Sequence, residues 1–379
     1  MPLEIHPDLP GGIYANGIYT NPEAAEWTSE FLSSSNALEF HQRLPGYSPT
    51  PLLSLPSIAS SLGLRHVLIK TETSRFGLPA FKILGASFAT FRTLCAHFNL
   101  PDDATLEDIA VTADGKITLV ATTDGNHGRA VAWMAKNLRV ECQVFVPDFV
   151  NQPARDAIAG EGAVVNVVDG DYDAAVMVAR TFTERAENAF LIQDAAWDGY
   201  RVIPKFIVDG YMTMLVELDL QAQEQIGRPV DVVLVPVGVG SLAEAVTIYY
   251  KRKGGSATTI ISVEPETAAC LQHSLRNGLE SIETRSTIMA GLCCGTVSDS
   301  AWPVLSRGVD VSTVVSDMEA HKAVEDLKDL GFNVGPCGGA TLAGLRRVAG
   351  LKLLRERLGE DFVVAMLCTE GARYYEKPI

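Results

Sequence analysis

No hydrophobic run in this chain approaches the roughly 20 residues needed to span a bilayer. Its first residues, MPLEIHPDLPGGIY, hold neither a basic stretch nor an apolar one. The expectation is a protein with no membrane segment and no signal peptide. Positive charge is also scarce: Lys and Arg number 31 against 46 Asp and Glu, a formal net charge of -15. Such a balance repels phosphate backbones and anionic bilayers, which argues against nucleic acid or a membrane surface as partner. Cysteine is sparse and odd in number, 7 in 379 residues, so no disulfide framework is expected. Reduced thiols in the cytoplasm are the default, although Cys270 and the adjacent Cys293 and Cys294 could approach one another. The histidines lie scattered without metal-ligand spacing, and no G-x-x-x-x-G-K-[ST], H-E-x-x-H, C-x-x-C or G-x-S-x-G occurs. No metal site is indicated.

What is present is globular in composition, 47% hydrophobic and 20% charged, in a chain long enough for two domains with their own cores. From residue 117 short β-branched runs alternate with longer helical stretches. ITLVAT (117–122), CQVFVP (142–147), AVVNVV (163–168), FLIQD (190–194), DVVLVPVG (231–238), TTIISVE (258–264) and DFVVAMLCTEG (361–371) read as strands. Residues 126–138, 153–159, 171–186, 201–226 and 241–252 read as helices. Strands separated by helices imply βαβ crossovers, hence a doubly wound α/β protein with parallel sheet. A smaller α/β lobe at about 85–190 is expected as an insertion between 1–84 and 191–379, which together form the larger domain. Ligands of such sheets sit at the carboxyl ends of strands, so the loops there carry the chemistry.

One lysine draws the eye first. Lys82 lies in SRFGLPAFKILGASFA, flanked by Phe81, Ile83 and Leu84. Either its stem packs while the ammonium reaches water, or the amine is kept for covalent chemistry. Among the loops, TTDGNHGRA (122–130) joins a strand to a helix, and its glycines let backbone approach an anion. Asp124 there adds a negative charge, unless it is simply the helix cap; His127 alone is weak. VPVGVGSLAEA (235–245) presents successive N–H groups and the Ser241 hydroxyl to a phosphate. It also fits G-x-G-x-x-A, with Glu264 near the spacing of a ribose-binding acid, so an NAD-dependent dehydrogenase using GVGSLA is a second hypothesis. Thr369, in CTEG, could bond a neutral ring nitrogen or be an ordinary turn residue. A non-catalytic ligand-binding protein is the third hypothesis.

Lys82, the GNHG loop and the GVGS loop, in that order, resemble the fold-type II pyridoxal-phosphate enzymes, the class of threonine dehydratases and tryptophan synthase β-subunits. Within them the chain is most similar to the diaminopropionate ammonia-lyase family. The likeness runs through PGYSPTPL (45–52), RFGLPAFKILGASFA (75–89), ATTDGNHGRAVAW (121–133), IQDAAWDGY (192–200) and IMAGLCCG (288–295). It implies pyridoxal 5'-phosphate on Lys82 as a Schiff base, beside Phe81. By the same likeness Asn126 contacts the phenolic oxygen and Thr369 the ring nitrogen. The phosphate goes to Gly238, Val239, Gly240, Ser241 and Leu242. Substrate would meet Thr123, Asp124, Gly125, His127 and Asp194, with Lys82, Asp124 and Asp194 catalytic. The implied reaction is α,β-elimination from a β-amino amino acid, most simply 2,3-diaminopropionate to pyruvate and ammonia, in a cytoplasmic homodimer.

Two stretches depart from that pattern. Gly335, Pro336 and Cys337 stand where the family usually has an acidic residue beside a Ser-Gly pair. A different residue pair is also expected after Glu370-Gly371. These changes leave open elimination or β-replacement on another β-substituted alanine.

Overall fold

The computed structural model describes residues 13–15, 17–30, 36–123, 125–254 and 257–378. In chain order the strands are β1 (Ile13–Ala15), β2 (Ile18–Thr20), β3 (Leu52–Ser54) and β4 (His66–Thr71). Then come β5 (Thr118–Thr122), β6 (Glu141–Pro147), β7 (Val164–Val168) and β8 (Ala189–Leu191). The last four are β9 (Val232–Pro236), β10 (Thr259–Pro265), β11 (Val311–Val315) and β12 (Val363–Cys368). They form two sheets in two compact units.

The larger unit draws on Met1–Ser34, Pro49–Ser74 and Met214–Ile379. Its eight-stranded sheet runs β1-β2-β11-β10-β9-β12-β4-β3. The central strands from β11 to β4 are parallel, and the margins β1, β2 and β3 are antiparallel. Strands β9, β10 and β12 are buried along their whole length. Burial on both faces is why they read as unbroken apolar runs rather than alternating ones. The helix Pro336–Val348 is buried over nearly its whole surface, and Gly344 is required there. A Cβ on it would fall 2.5 Å from Val263 Cγ2 on β10.

A buried polar cluster ties the β4 side of this sheet together. Lys70 on β4 is fully buried, yet donates to Thr50 O at 2.7 Å, Glu217 Oε2 at 2.8 Å and Gln221 Oε1 at 2.9 Å. All three ammonium hydrogens thereby find acceptors, the condition under which a buried charge is tolerated. Thr50 Oγ1 donates to Glu72 Oε1 at 2.6 Å, and Glu72 N donates to Cys368 O at 2.8 Å.

The smaller unit comprises Ser35–Ser48 and Arg75–Thr213. Its parallel sheet runs β7-β6-β5-β8. The unit takes in more chain than the 85–190 stretch read from sequence, for reasons of packing. His41 bonds to Thr213 Oγ1 at 2.7 Å, Leu84 O at 3.0 Å and Ser87 Oγ at 3.1 Å, which draws 35–48 into it. The helix Lys82–Phe98 is buried without a break from Ile83 to Phe91. The helix Val202–Ile226 approaches it so closely that a Cβ on Gly210 would lie 2.4 Å from Leu84 O.

Candidate active site

Strands β5 and β8 are parallel neighbours, so the residues following them share the carboxyl edge of the smaller sheet. After β5 come Thr123 and Gly125, and then the helix Asn126–Leu138. Thr123 is buried, donates its N–H to Phe145 O at 3.2 Å, and its Oγ1 accepts from Gly125 N at 2.8 Å. Gly125, not a side chain, is the N-cap of that helix, which leaves the first-turn N–H groups of Asn126 and His127 beyond the reach of intrahelical bonds. Asp124 lies outside the described residues. Gly128 lets this helix sit on the sheet: a Cβ there would fall 2.4 Å from Thr123 Cγ2 and 2.8 Å from Val144 Cγ1.

Asp194 follows β8 and is 5% exposed. It caps no helix; it pairs with the Lys82 ammonium, 112 residues away in sequence. Lys82 opens its helix directly after Phe81, whose ring centroid lies 5.2 Å from Nζ. Burial would raise the Asp194 pKa, but the charges of Lys82 and His127 and the hydrogen bond from Lys82 outweigh it and hold the group at about 2. Asp194 is therefore a carboxylate near neutrality, already bound to a primary ammonium. His127, also buried, donates from Nε2 to Ile192 O at 2.7 Å, two residues before Asp194.

The larger unit carries its own functional edge. Strands β9 and β12 are parallel neighbours, and beyond them lie the turn Gly238–Leu242 and Thr369. The turn opens the helix Ser241–Tyr250, with Gly240 at φ +97° as its cap. That left-handed conformation suits glycine. Space enforces the choice as well: a Cβ on Gly238 would stand 3.0 Å from Gly291 O, and one on Gly240 3.0 Å from Leu305 Cδ1. Val239 O accepts from Ser298 N at 2.8 Å, which fixes the turn from outside. Close-packed glycines, the Ser241 hydroxyl and first-turn N–H groups make a donor set fit for a phosphate.

Thr369 is buried, and the Gly335–Cys337 stretch bonds to the next residue, Glu370. Gly335 N donates to Glu370 O at 3.2 Å and Cys337 N to Glu370 Oε1 at 3.0 Å. The Glu370 carboxylate thus caps the helix Pro336–Val348. The departure at 335–337 is thus bonded directly to Glu370. The described cysteines are all free thiols; Cys270 donates to Gly238 O at 3.5 Å.

The dinucleotide hypothesis does not survive this geometry. Glu264 is fully buried and accepts from Leu271 N at 2.7 Å and Gln272 N at 2.8 Å. Its carboxylate is committed to a helix start and is not presented to a ribose.

Sequence reading missed Gln193, Tyr200 and Tyr172, which bond to one another around the Asp194 segment. The signal was slight: polar residues flanking an acid just past a strand, within IQDAAWDGY. Among the described residues no group of His, Cys, Asp or Glu could hold a metal ion, and no helix is long and apolar enough to cross a membrane.

Residues 43–369 match the family described as pyridoxal-phosphate dependent enzyme. A diaminopropionate ammonia-lyase of Escherichia coli K12 is 33% identical over 365 residues, covering 91% of this chain and 90% of its own. That of Salmonella typhimurium LT2 is 36% identical over 297 residues, covering 76% and 73%. The crystal structure of the Escherichia coli enzyme, in complex with an aminoacrylate-PLP azomethine reaction intermediate, aligns with a TM-score of 0.82 at 32% identity, over 93% of each chain. A family match across most of the chain, and relatives this close over most of their length, show the family. The chain belongs to the fold-type II pyridoxal-phosphate-dependent enzymes and, within them, to the diaminopropionate ammonia-lyase family.

Proposed function

We propose that this enzyme eliminates the β-amine of 2,3-diaminopropionate, giving pyruvate and ammonia. The observation that carries the reading is the Lys82–Asp194 pair. A buried carboxylate already matched to one primary ammonium is suited to accept another, the β-ammonium of this substrate. A β-hydroxyl, as in serine or threonine, would leave that charge unmatched.

Pyridoxal 5'-phosphate, when bound, draws electrons from the substrate α-carbon and so makes its proton removable. The residues divide the remaining work. Lys82 anchors the cofactor through its amine, with Phe81 against its stem. The turn Gly238, Val239, Gly240, Ser241 and Leu242 holds the phosphate. Asn126 bonds the phenolic oxygen, and the Thr369 hydroxyl the ring nitrogen. Thr123, Gly125 and His127 surround the substrate carboxylate. Lys82, when free, takes the α-proton from one enantiomer, and Asp124 takes it from the other. Asp194 holds the β-ammonium until it leaves. The enzyme works as a cytoplasmic homodimer, in keeping with its acidic charge and free thiols.

The test is an absorbance spectrum of the purified protein, followed by addition of D- or L-2,3-diaminopropionate with coupled detection of pyruvate. Visible absorbance that changes on addition, with pyruvate accumulating from both isomers, supports the reading. Pyruvate from L-serine, or 2-oxobutanoate from L-threonine, with no pyruvate from diaminopropionate overturns it.

A further inference from the structure

We propose that Tyr200 and Gln193 form a clamp that positions Asp194 and ties it to the strand end carrying Thr123. Neither side chain touches the Lys82 amine. Both act through the three residues that precede Asp194, and the inference rests on the role proposed for that carboxylate.

The clamp is built from consecutive hydrogen bonds. Ile192 N donates to Val120 O at 2.8 Å, the last bond of the β5–β8 edge. Beyond it the backbone is held by side chains. The Tyr200 hydroxyl donates to Leu191 O at 2.5 Å and accepts from Gln193 N at 3.0 Å. His127 holds Ile192 O. The Gln193 side chain is 1% exposed. Its Oε1 accepts from Thr122 N at 3.2 Å, and its Nε2 donates to Tyr172 Oη at 2.5 Å. One glutamine thus bridges the ends of both strands whose loops carry the substrate residues.

Tyr200 reaches back because the chain turns sharply after Asp194. Trp197 and Tyr200 exchange backbone bonds at 2.9 and 3.3 Å, with Gly199 at φ +80° between them. Their rings stack with centroids 4.3 Å apart. The turn fixes the phenol, and the phenol fixes residues 191 and 193. Among the described residues, the charged or titratable groups facing Asp194 are Lys82 at its helix start, His127 on the neighbouring helix and Tyr200 itself. Burial and the Asp194 charge push the Tyr200 phenol far up, so it stays a donor at any working pH. A phenol that must both donate and accept cannot be replaced by phenylalanine without loosening two backbone points.

The experiment is a double-mutant cycle with Tyr200→Phe and Asp194→Asn on the holoenzyme, assayed for kcat/KM with diaminopropionate. Tyr200→Phe should lower kcat/KM by about 10- to 100-fold, the cost of a misplacement near 1 Å. Added to Asp194→Asn it should cost nothing further, because both act through one carboxylate. Ile158→Val, a conservative change in the core of the same unit, controls for lost stability and should leave kcat/KM unchanged. A second readout needs no substrate. Unfolding of the cofactor-free protein across the acid window below 3.8, where Asp194 takes up its proton, should have a shallower pH slope in Tyr200→Phe. Should Tyr200→Phe fail to fold, Tyr172→Phe, which frees the Gln193 amide, should produce the same effects in smaller measure. Additive losses in the cycle, or acid curves parallel to wild type, overturn the clamp while leaving the role of Asp194 intact. Full turnover by Asp194→Asn overturns that role and the clamp together.

Discussion

Replacing Lys82 by methionine in the cofactor-free protein isolates the pair on which the functional reading turns. Methionine keeps much of the apolar stem and removes the ammonium. Asp194, 5% exposed, then keeps the burial that raises its pKa and loses the charge and hydrogen bond of Lys82 that lower it, with His127 still lowering it. With Lys82 present the carboxyl sits at about 2 against an ordinary 3.8. At about 1.4 kcal/mol per unit, that difference is worth about 2 kcal/mol of folding free energy. The sign follows from the direction of the shift. A depressed folded-state pKa gives stability that is complete above 3.8 and is lost as the pH falls from there towards about 2. Without Lys82 the folded-state value moves up, so the variant keeps less of the stability that the ionised carboxylate contributes at neutral pH, and the difference narrows on acidification. Urea unfolding of both cofactor-free proteins, followed by tryptophan fluorescence from acid to neutral pH, measures the two curves. At neutral pH Lys82→Met should be less stable by at least about 2 kcal/mol, and the gap should close in acid. Equal stability at neutral pH, with parallel curves, would refute the argument that Asp194 is a buried carboxylate held by this amine.

Two further changes probe the supports of the site. Lys70→Met removes the cation paired with the Glu217 carboxylate, 3% exposed, which keeps the Thr50 N–H at 3.3 Å as a donor; it should cost about 3–5 kcal/mol, whereas Lys70→Met with Glu217→Leu should recover most of it, and a denaturation cycle reads both. Gly128→Ala forces a Cβ to 2.4 Å from Thr123 Cγ2. It should destabilise the protein by about 1–3 kcal/mol and weaken cofactor uptake by displacing Asn126, as melting and a cofactor titration would show.

The parts of the fold that were legible in the sequence are those whose burial is local and complete. LVAT, VVLVP and VVAMLC are apolar without interruption because both sheet faces are covered, and glycine or polar residues mark their ends. Strand β4 was invisible by the same logic. HVLIKT contains a lysine, and that lysine is acceptable in a core only because Glu217 lies beside it, 147 residues further on. The three-residue strands at the sheet margins carry too little pattern to read. Of the site, the individual loops were legible because glycine spacing and strand ends are local signals. The partnership of Lys82 with Asp194 was not, since 112 residues separate them and nothing in either neighbourhood names the other.

That partnership also bears on how one fold serves both ammonia-lyases and threonine dehydratases, the latter being 27–28% identical to this chain. A carboxylate at the end of β8 is costly to bury alone, so whatever replaces Lys82 beside Asp194 must itself be cationic or must bring a proton. A β-ammonium satisfies the first condition, its own desolvation being offset by the charge it meets. A β-hydroxyl satisfies neither and leaves the carboxylate short of a charge, a deficit of about 1–3 kcal/mol or more. That deficit corresponds to roughly ten- to hundredfold discrimination before any chemical step. On the role proposed for Asp194, specificity for an amine leaving group is set by the charge of that carboxylate rather than by the shape of the site.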